Sequence, residues 1–252
     1  MTRRPVTLIT GASAGLGVEF ARLCAARGDE LVLVARRRDR LETLAAELGN
    51  THVFAADLSR PGAAAALVGD VEAAGLEVET LINNAGFGLV GRFAELPQDR
   101  QLAMIDLNVR ALTELCRSVL SGMLARRRGF ILNVASTAAF QAGPYSAVYY
   151  AGKAYVLSLS EALHEEAKPA GVHVTALCPG PTATEFFEVA GSPNGRLAQI
   201  ATDPKAVVAA GLAGLARNRA IVIPGFGNRA GAFMSRLLPR ATMRGIVAKL
   251  KA

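Results

Sequence analysis

Cysteine is scarce in this 252-residue chain, with only Cys24, Cys116 and Cys178 present. Scattered and odd in number, they fit neither a disulfide framework nor a CxxC metal site. The three histidines, His52, His164 and His173, lack the spacing of metal ligands, so no metal is expected. Tryptophan is absent and aromatic residues make up only 6%, while alanine is frequent, which suits helices packed closely on a sheet. No apolar run approaches the roughly 20 residues that a membrane span needs. The opening MTRRPVTLIT runs directly into a strand-like segment, which predicts neither a signal nor a transit peptide. These absences together predict a reduced, cytoplasmic protein. Carboxylates are outnumbered, 21 against 28 Lys and Arg, for a net charge of +7. The arginines fall in short groups (Arg36 to Arg38, Arg126 to Arg128, and a spread from Arg217 to Arg244). None is interleaved with aromatics as in a single-strand binding groove, which argues against a nucleic-acid partner.

What is present is a folded globule's balance, 51% hydrophobic and 19% charged. The length suits one large α/β domain, read as residues 1–252. Apolar runs with strand character occur at 6–10, 30–35, 52–57, 80–85, 130–136, 172–178 and 220–225. Segments with apolar residues at helical spacing lie between them, such as Leu16, Phe20, Leu23 and Cys24. The strands are continuously apolar rather than alternating, as in a parallel sheet covered on both faces. Strand–helix alternation at this pace implies right-handed βαβ units and a doubly wound, Rossmann-like α/β fold of about seven strands in three layers. Two stretches break the rhythm: a 181–203 insertion with Phe186 and Phe187, and a basic tail over 226–252. The insertion reads as an apolar lid over a substrate. The tail reads as cover for the sheet edge or a subunit contact, in preference to a membrane-surface contact.

The turn Thr10-Gly11-Ala12-Ser13-Ala14-Gly15-Leu16-Gly17 joins the first strand to the first helix. Glycines there let backbone approach a pyrophosphate, and the amides of a helix N-terminus face that anion. The second strand ends Leu33-Val34-Ala35-Arg36-Arg37-Arg38 with no carboxylate to hold a ribose hydroxyl. Arg36 first and Arg37 second would attract a 2′-phosphate through bidentate hydrogen bonds, which predicts NADP(H) over NAD(H). Asp57-Leu58 closes the third strand; Asp57 is also read as the N-cap of a helix starting near Pro61.

Tyr149 and Lys153 are four residues apart and share one helical face. A free tyrosine ionises near a pKa of about 10. A neighbouring ammonium favours the phenolate, so the pair reads as a proton-transfer device with a lowered tyrosine pKa. Tyr150 misses that spacing and reads as packing or a pocket wall. Ser136, after the strand FILNVA, stands where ligands bind in such folds and can hydrogen-bond a substrate oxygen.

Gly11, Gly15 and Gly17 resemble the TGxxxGxG turn of the short-chain dehydrogenase/reductase family. The spacing of Ser136, Tyr149 and Lys153 resembles the active site of that family. Asn83-Asn84-Ala85-Gly86 is similar to its NNAG motif, with Asn84 beside the cofactor. Asp57 and Leu58 resemble the pair that touches adenine, and Pro179-Gly180-Pro181-Thr182 resembles the PG motif, with Thr182 near the nicotinamide amide. Asn108 matches the family's helix asparagine, implicated in a water-linked proton relay through the lysine. The resemblance covers residues 6 to about 186. It implies Ser136, Tyr149, Lys153 and Asn108 as catalytic residues. It also implies a cofactor bound by Gly11, Ser13, Ala14, Gly15, Leu16, Gly17, Arg36, Arg37, Asp57, Leu58, Asn84, Ala85, Gly86, Tyr149, Lys153, Pro179, Gly180 and Thr182. A homodimer or homotetramer built on the helices near 100–125 and 149–168 follows by the same analogy. The substrate expected is a small carbonyl or alcohol, such as an apolar ketone, aldehyde, acyl chain or sterol, with Phe140, Gln141 and Tyr145 on one wall. A nucleotide sensor without turnover is the rival, but it has no use for the catalytic set.

Overall fold

Alternate residues of each central strand are buried on opposite sides, which is why the strands read as unbroken apolar runs. In β1 (Arg4–Thr10), Leu8 joins one buried cluster and Ile9 the other. Val32 and Leu33 divide the same way in β2 (Leu31–Ala35), as do Leu81 and Ile82 in β4 (Leu76–Asn83) and Ile131 and Leu132 in β5 (Gly129–Val134). With β3 (Thr51–Ala55), β6 (Val172–Leu177) and β7 (Ile221–Val222), they form a seven-stranded sheet in the order β3-β2-β1-β4-β5-β6-β7, every pairing parallel. The computed structural model describes residues 3–191 and 202–251.

Helices cover both faces. On one lie α3 (Ala63–Ala73), α5 (Leu112–Ala125) and α6 (Ala147–Ala167), packed through Leu67, Leu115, Val119 and Val156. On the other lie α1 (Leu16–Ala25), α2 (Arg38–Leu48) and α8 (Pro204–Ala216), packed through Phe20, Leu41, Val208 and Leu212. The result is the expected three-layer Rossmann-like fold. No helix among the described residues is long and apolar enough to cross a membrane.

Strand boundaries shift by one or two residues from expectation, except at β4 and β7, where the change is larger. β4 begins at Leu76 rather than 80, because Leu76 and Val78 are buried while Glu77 and Glu79 are not. That alternating entry precedes a continuously buried exit, Leu81 to Asn83, which is the more conspicuous part in the sequence. β7 keeps two residues of the expected six, as suits an edge strand beside Pro224, which has no N–H to give the ladder.

The chain runs from β1 outward to β3, then returns to pair β4 on the other side of β1. The crevice at the carboxyl ends of β1 and β4 is therefore the switch point where such folds bind ligands. A buried polar chain holds the neighbouring elements in register. Asn83 Nδ2 donates to Asn133 Oδ1 at 2.9 Å, Asn133 Nδ2 donates to Ser160 Oγ at 3.0 Å, and Ser160 donates to the Val156 carbonyl at 2.6 Å. That chain ties α6 to the sheet centre, so the side chains one to three turns earlier on α6 are fixed in depth.

Candidate active site

Gly11 and Gly15 have φ of +67° and +56°, in the left-handed region that favours glycine. A Cβ on Gly11 would stand 2.9 Å from both the Ala85 Cα and the Asn84 amide nitrogen, and one on Gly17 would overlap the Gly11 carbonyl. The turn is thus folded flat against the end of β4. Asn84 fastens it, with Nδ2 donating to the carbonyls of Thr10 at 2.9 Å and Gly11 at 3.3 Å. The Thr10 hydroxyl accepts from the amides of Asn84 and Ala85, both at 3.0 Å. The bare backbone and the N-terminus of α1 leave a cradle of the kind a pyrophosphate fills. Gly17 itself faces away from the cavity, and its role is to let the turn close.

At the end of β2, Arg36 and Arg37 are exposed and line the same cavity. Arg37 donates to the Ser13 hydroxyl at 3.2 Å and meets Glu185 at 3.5 Å, while Arg40 donates to the other Glu185 oxygen at 2.8 Å. The Arg40 hydrogen bond, then the two guanidinium charges, hold the Glu185 carboxyl below its ordinary pKa. Glu185 therefore clamps the start of the expected lid segment to the cavity rim at Arg37 and Arg40. Asp57 is not the N-cap of α3, which starts at Ala63 after Gly62. Instead, it accepts from the Ser59 amide at 3.1 Å and the Ser59 hydroxyl at 2.6 Å, because Ser-Arg-Pro-Gly favours a turn here. Those bonds, with the charges of Arg36 and Arg60 behind them, depress its pKa.

Ser136, Tyr149 and Lys153 meet on the opposite wall. Ser136 follows β5, and its Oγ accepts from the Ala138 amide at 3.1 Å, which fixes its rotamer. Tyr149 is in the first turn of α6, its ring 5.3 Å from the ring of Phe186. Burial pushes the Tyr149 phenol well above the usual tyrosine range, and a hydrogen bond from Ser136 partly opposes it. Lys153 is only 6% exposed; its Nζ donates to the Val134 carbonyl at 2.6 Å and lies 5.8 Å over the Tyr149 ring. Burial is thus the largest influence on the phenol in the cofactor-free chain. Burial also lowers Lys153 itself to about 8.

The buried lysine carries a stability signature. From pH about 8 to 10.5, the unfolded chain holds the lysine proton and the folded chain does not. Stability contributed by this group therefore rises with pH through that window, by about 3 kcal/mol over the full interval. Melting curves of the wild type and Lys153→Met should diverge in the wild type's favour as pH rises across it; parallel curves would refute the buried-cation assignment.

Asn108 sits in a π-helical turn, Asp106–Ala111, between α4 (Gln98–Ile105) and α5. Its side chain is bound to the backbone of Phe87, donating to the carbonyl at 2.8 Å and accepting from the amide at 3.1 Å. It does not line the cavity. Gly86 separates it from the lysine, and a Cβ there would stand 2.9 Å from Asn108 Oδ1 and 3.8 Å from Lys153 Nζ. π-turns of this kind often mark functional sites.

The cavity joining both walls measures about 930 Å³. Apart from Gly17 and Asn108, every residue expected at the cofactor or catalytic site lines it, from Gly11 and Leu58 to Pro179, Gly180 and Thr182. Of the expected substrate wall, Gln141 lines it but Phe140 and Tyr145 do not. Phe140 packs on the core, and Tyr145 is exposed in a left-handed turn whose carbonyl accepts from the Gly91 amide at 2.9 Å. Tyr150 lines the cavity as a wall, its ring filling the space over Gly143. Residues 192–201 of the expected 181–203 lid lie outside the described residues; its first part, α7 (Phe186–Val189), brings Phe186 and Val189 to the cavity. Sequence reasoning missed Glu185 and Val247, whose partners are far away in the chain. No group of three or more His, Cys, Asp or Glu among the described residues could hold a metal ion.

The profile of the short chain dehydrogenase family matches residues 5–194. A very-long-chain 3-oxoacyl-CoA reductase of Phaeosphaeria nodorum is 33% identical over 220 residues. The match covers 84% of this chain but 63% of that protein, slightly under two thirds of its length. A 7beta-hydroxysteroid dehydrogenase of Collinsella aerofaciens is 32% identical, covering 80% of this chain and 79% of that one. Among solved structures, a short-chain dehydrogenase from Sphingobium yanoikuyae in complex with NADPH superposes with a TM-score of 0.82 at 34% identity, covering 92% of this chain and 93% of that one.

Proposed function

The chain belongs to the short-chain dehydrogenase family, and from that premise we propose that it is an NADP(H)-dependent reductase of apolar ketones or aldehydes. The observation that carries this reading is a single cavity with the glycine cradle and Arg36-Arg37 at one end and Ser136, Tyr149 and Lys153 at the other. The residues fit a nicotinamide dinucleotide: Gly11 to Leu16 would take the pyrophosphate, Arg36 and Arg37 the 2′-phosphate, and Lys153 the nicotinamide ribose. Asp57 and Leu58 would take the adenine, and Thr182 the amide. Such a cofactor supplies reversible hydride exchange with a carbonyl carbon.

The chain's own part is the proton. Tyr149 is kept neutral by burial, so it has a proton to donate to the carbonyl oxygen. Ser136, fixed by the Ala138 amide, donates a hydrogen bond to the same oxygen and stabilises the charge that develops on it. Lys153 and Asn108 flank Gly86, the path along which a replacement proton would travel back to the phenol. Phe87, Leu89, Phe186, Val189 and Val247 make the substrate end apolar. This suits a steroid-like or acyl ketone, as the names of the two relatives suggest. Leu102, Ile105 and Tyr155 are exposed on α4 and α6, consistent with assembly through those helices.

Nucleotide oxidation against a panel of bulky ketones, a steroid ketone and a 3-oxoacyl thioester is the direct test. The expected result is turnover with kcat/KM for NADPH about 10²-fold above NADH, roughly tenfold for each of the two rim arginines. Nucleotide binding without turnover on any substrate would leave a sensor instead.

A further inference from the structure

From residue 204 to the end, the sequence contains no Asp or Glu. It contains nine cations, six of them (Arg229, Arg236, Arg240, Arg244, Lys249 and Lys251) in the final two helices, α9 (Phe226–Leu237) and α10 (Arg240–Lys251). α9 packs on the protein with its small and polar side. Ala232 is buried, and Asn228 fills the space over Gly180 and donates to the Pro224 carbonyl at 2.7 Å. The helix lies against the turn Thr137–Phe140, next to Ser136. Its large apolar side faces outward: Phe226 is 85% exposed, Phe233 61% and Leu237 62%. With exposed Ala230, these positions fall at i, i+4, i+7 and i+11, a single stripe opposite the packed side, flanked by exposed Arg229 and Arg236. Cover for the sheet therefore accounts for the inner side of the tail only. In α10, Val247 lines the catalytic cavity while its neighbour Ile246 is 42% exposed.

We propose that the outer face of α9 and α10 docks on an anionic phospholipid bilayer, and that apolar substrate enters the cavity from that side, beside Val247. An apolar stripe bordered only by cations matches the acyl and headgroup layers of such a surface. A symmetric contact with a second copy would instead bring two cation-rich, carboxylate-free faces together, which costs repulsion at every pair. Substrate entry rests on the reductase reading; docking does not.

Flotation of the full chain with vesicles separates the outcomes. We expect binding to equimolar phosphatidylcholine and phosphatidylglycerol, little to phosphatidylcholine alone, and release in roughly 0.5 M salt, where the Debye length falls to a few ångströms. Phe233→Ser with Leu237→Ser, and separately Arg236→Glu with Arg244→Glu, should each lower the bound fraction about fivefold or more, with turnover of a water-soluble ketone unchanged. Absence of binding to the anionic vesicles, or binding equal in both variants, would overturn the proposal. So would equal binding to soluble polyglutamate, which points to an acidic protein. A solution mass that halves in the serine variant would also overturn it, because a second copy then covers the stripe. Because flotation reads no chemistry, its failure leaves the reductase assignment standing, and absence of turnover leaves docking standing.

Discussion

Tyr149→Phe is expected to lower kcat by roughly 10²–10⁴-fold, the span a positioned proton donor contributes. The reason is specific to one atom. The phenylalanine ring keeps the packing against Phe186 at 5.3 Å and against Tyr150 at 6.1 Å, and Lys153 keeps its bond to the Val134 carbonyl. Only the hydroxyl that meets Ser136 is lost. Nucleotide affinity, set at the other end of the cavity by Gly11 to Leu16 and the arginines, should change by less than about twofold, well under 1 kcal/mol. Tyr150→Phe is the control: its ring lies over Gly143 as a wall, so its effect should fall mainly on KM. Steady-state kinetics beside a nucleotide titration decides the matter. Undiminished turnover in the Tyr149 variant would remove the proton donor from the mechanism. The burial that raises this phenol also sets a direction in pH. Reduction needs the neutral form, so ionisation of this phenol in the free chain, read from kcat/KM, should fall above the ordinary tyrosine range rather than near neutrality.

The parts of this site legible in the sequence are those whose geometry is local. Glycines at 11, 15 and 17 between a strand and a helix read as a tight turn, and a tyrosine four residues before a lysine on a helix shares its face. Strands buried on both faces announce themselves as continuous apolar runs, and all seven are present. What stayed hidden depends on partners distant in the chain. Glu185 reaches Arg40 across 145 positions, so nothing near either residue marks the clamp. Asp57 stands where a helix cap is expected, yet two bonds to Ser59 capture it first. Lys153 shares a face with Tyr149 as its spacing requires. Its ammonium, however, is drawn to the carbonyl at the end of β5, a contact that only the packing of α6 on the sheet decides. Val247 reaches the cavity because α9 first turns the chain back over Gly180, which no periodicity in the tail records.

The rim arginines give the other large effect. Replacing Arg36 and Arg37 together with alanine should lower kcat/KM for NADPH by about 10²-fold and that for NADH by less than about threefold. Each guanidinium is given roughly tenfold, the low end for a charge-assisted hydrogen bond, because solvent screens this rim. Arg37 is 42% exposed on its side chain and shares its contacts between Ser13 and Glu185. A bound 2′-phosphate and the Glu185 carboxylate would therefore compete for one guanidinium group, that of Arg37. Glu185→Gln relieves that competition, so NADPH should bind several-fold more tightly and NADH hardly at all differently. If the two nucleotides instead weaken equally in the double alanine variant, the arginines serve the turn through Ser13 and not the phosphate. The Glu185→Gln result is independent of that outcome, since it asks only whether the carboxylate stands in the phosphate's way. Both variants thus test the same claim from opposite sides, that cofactor choice in this chain is settled by which anion the rim arginines hold.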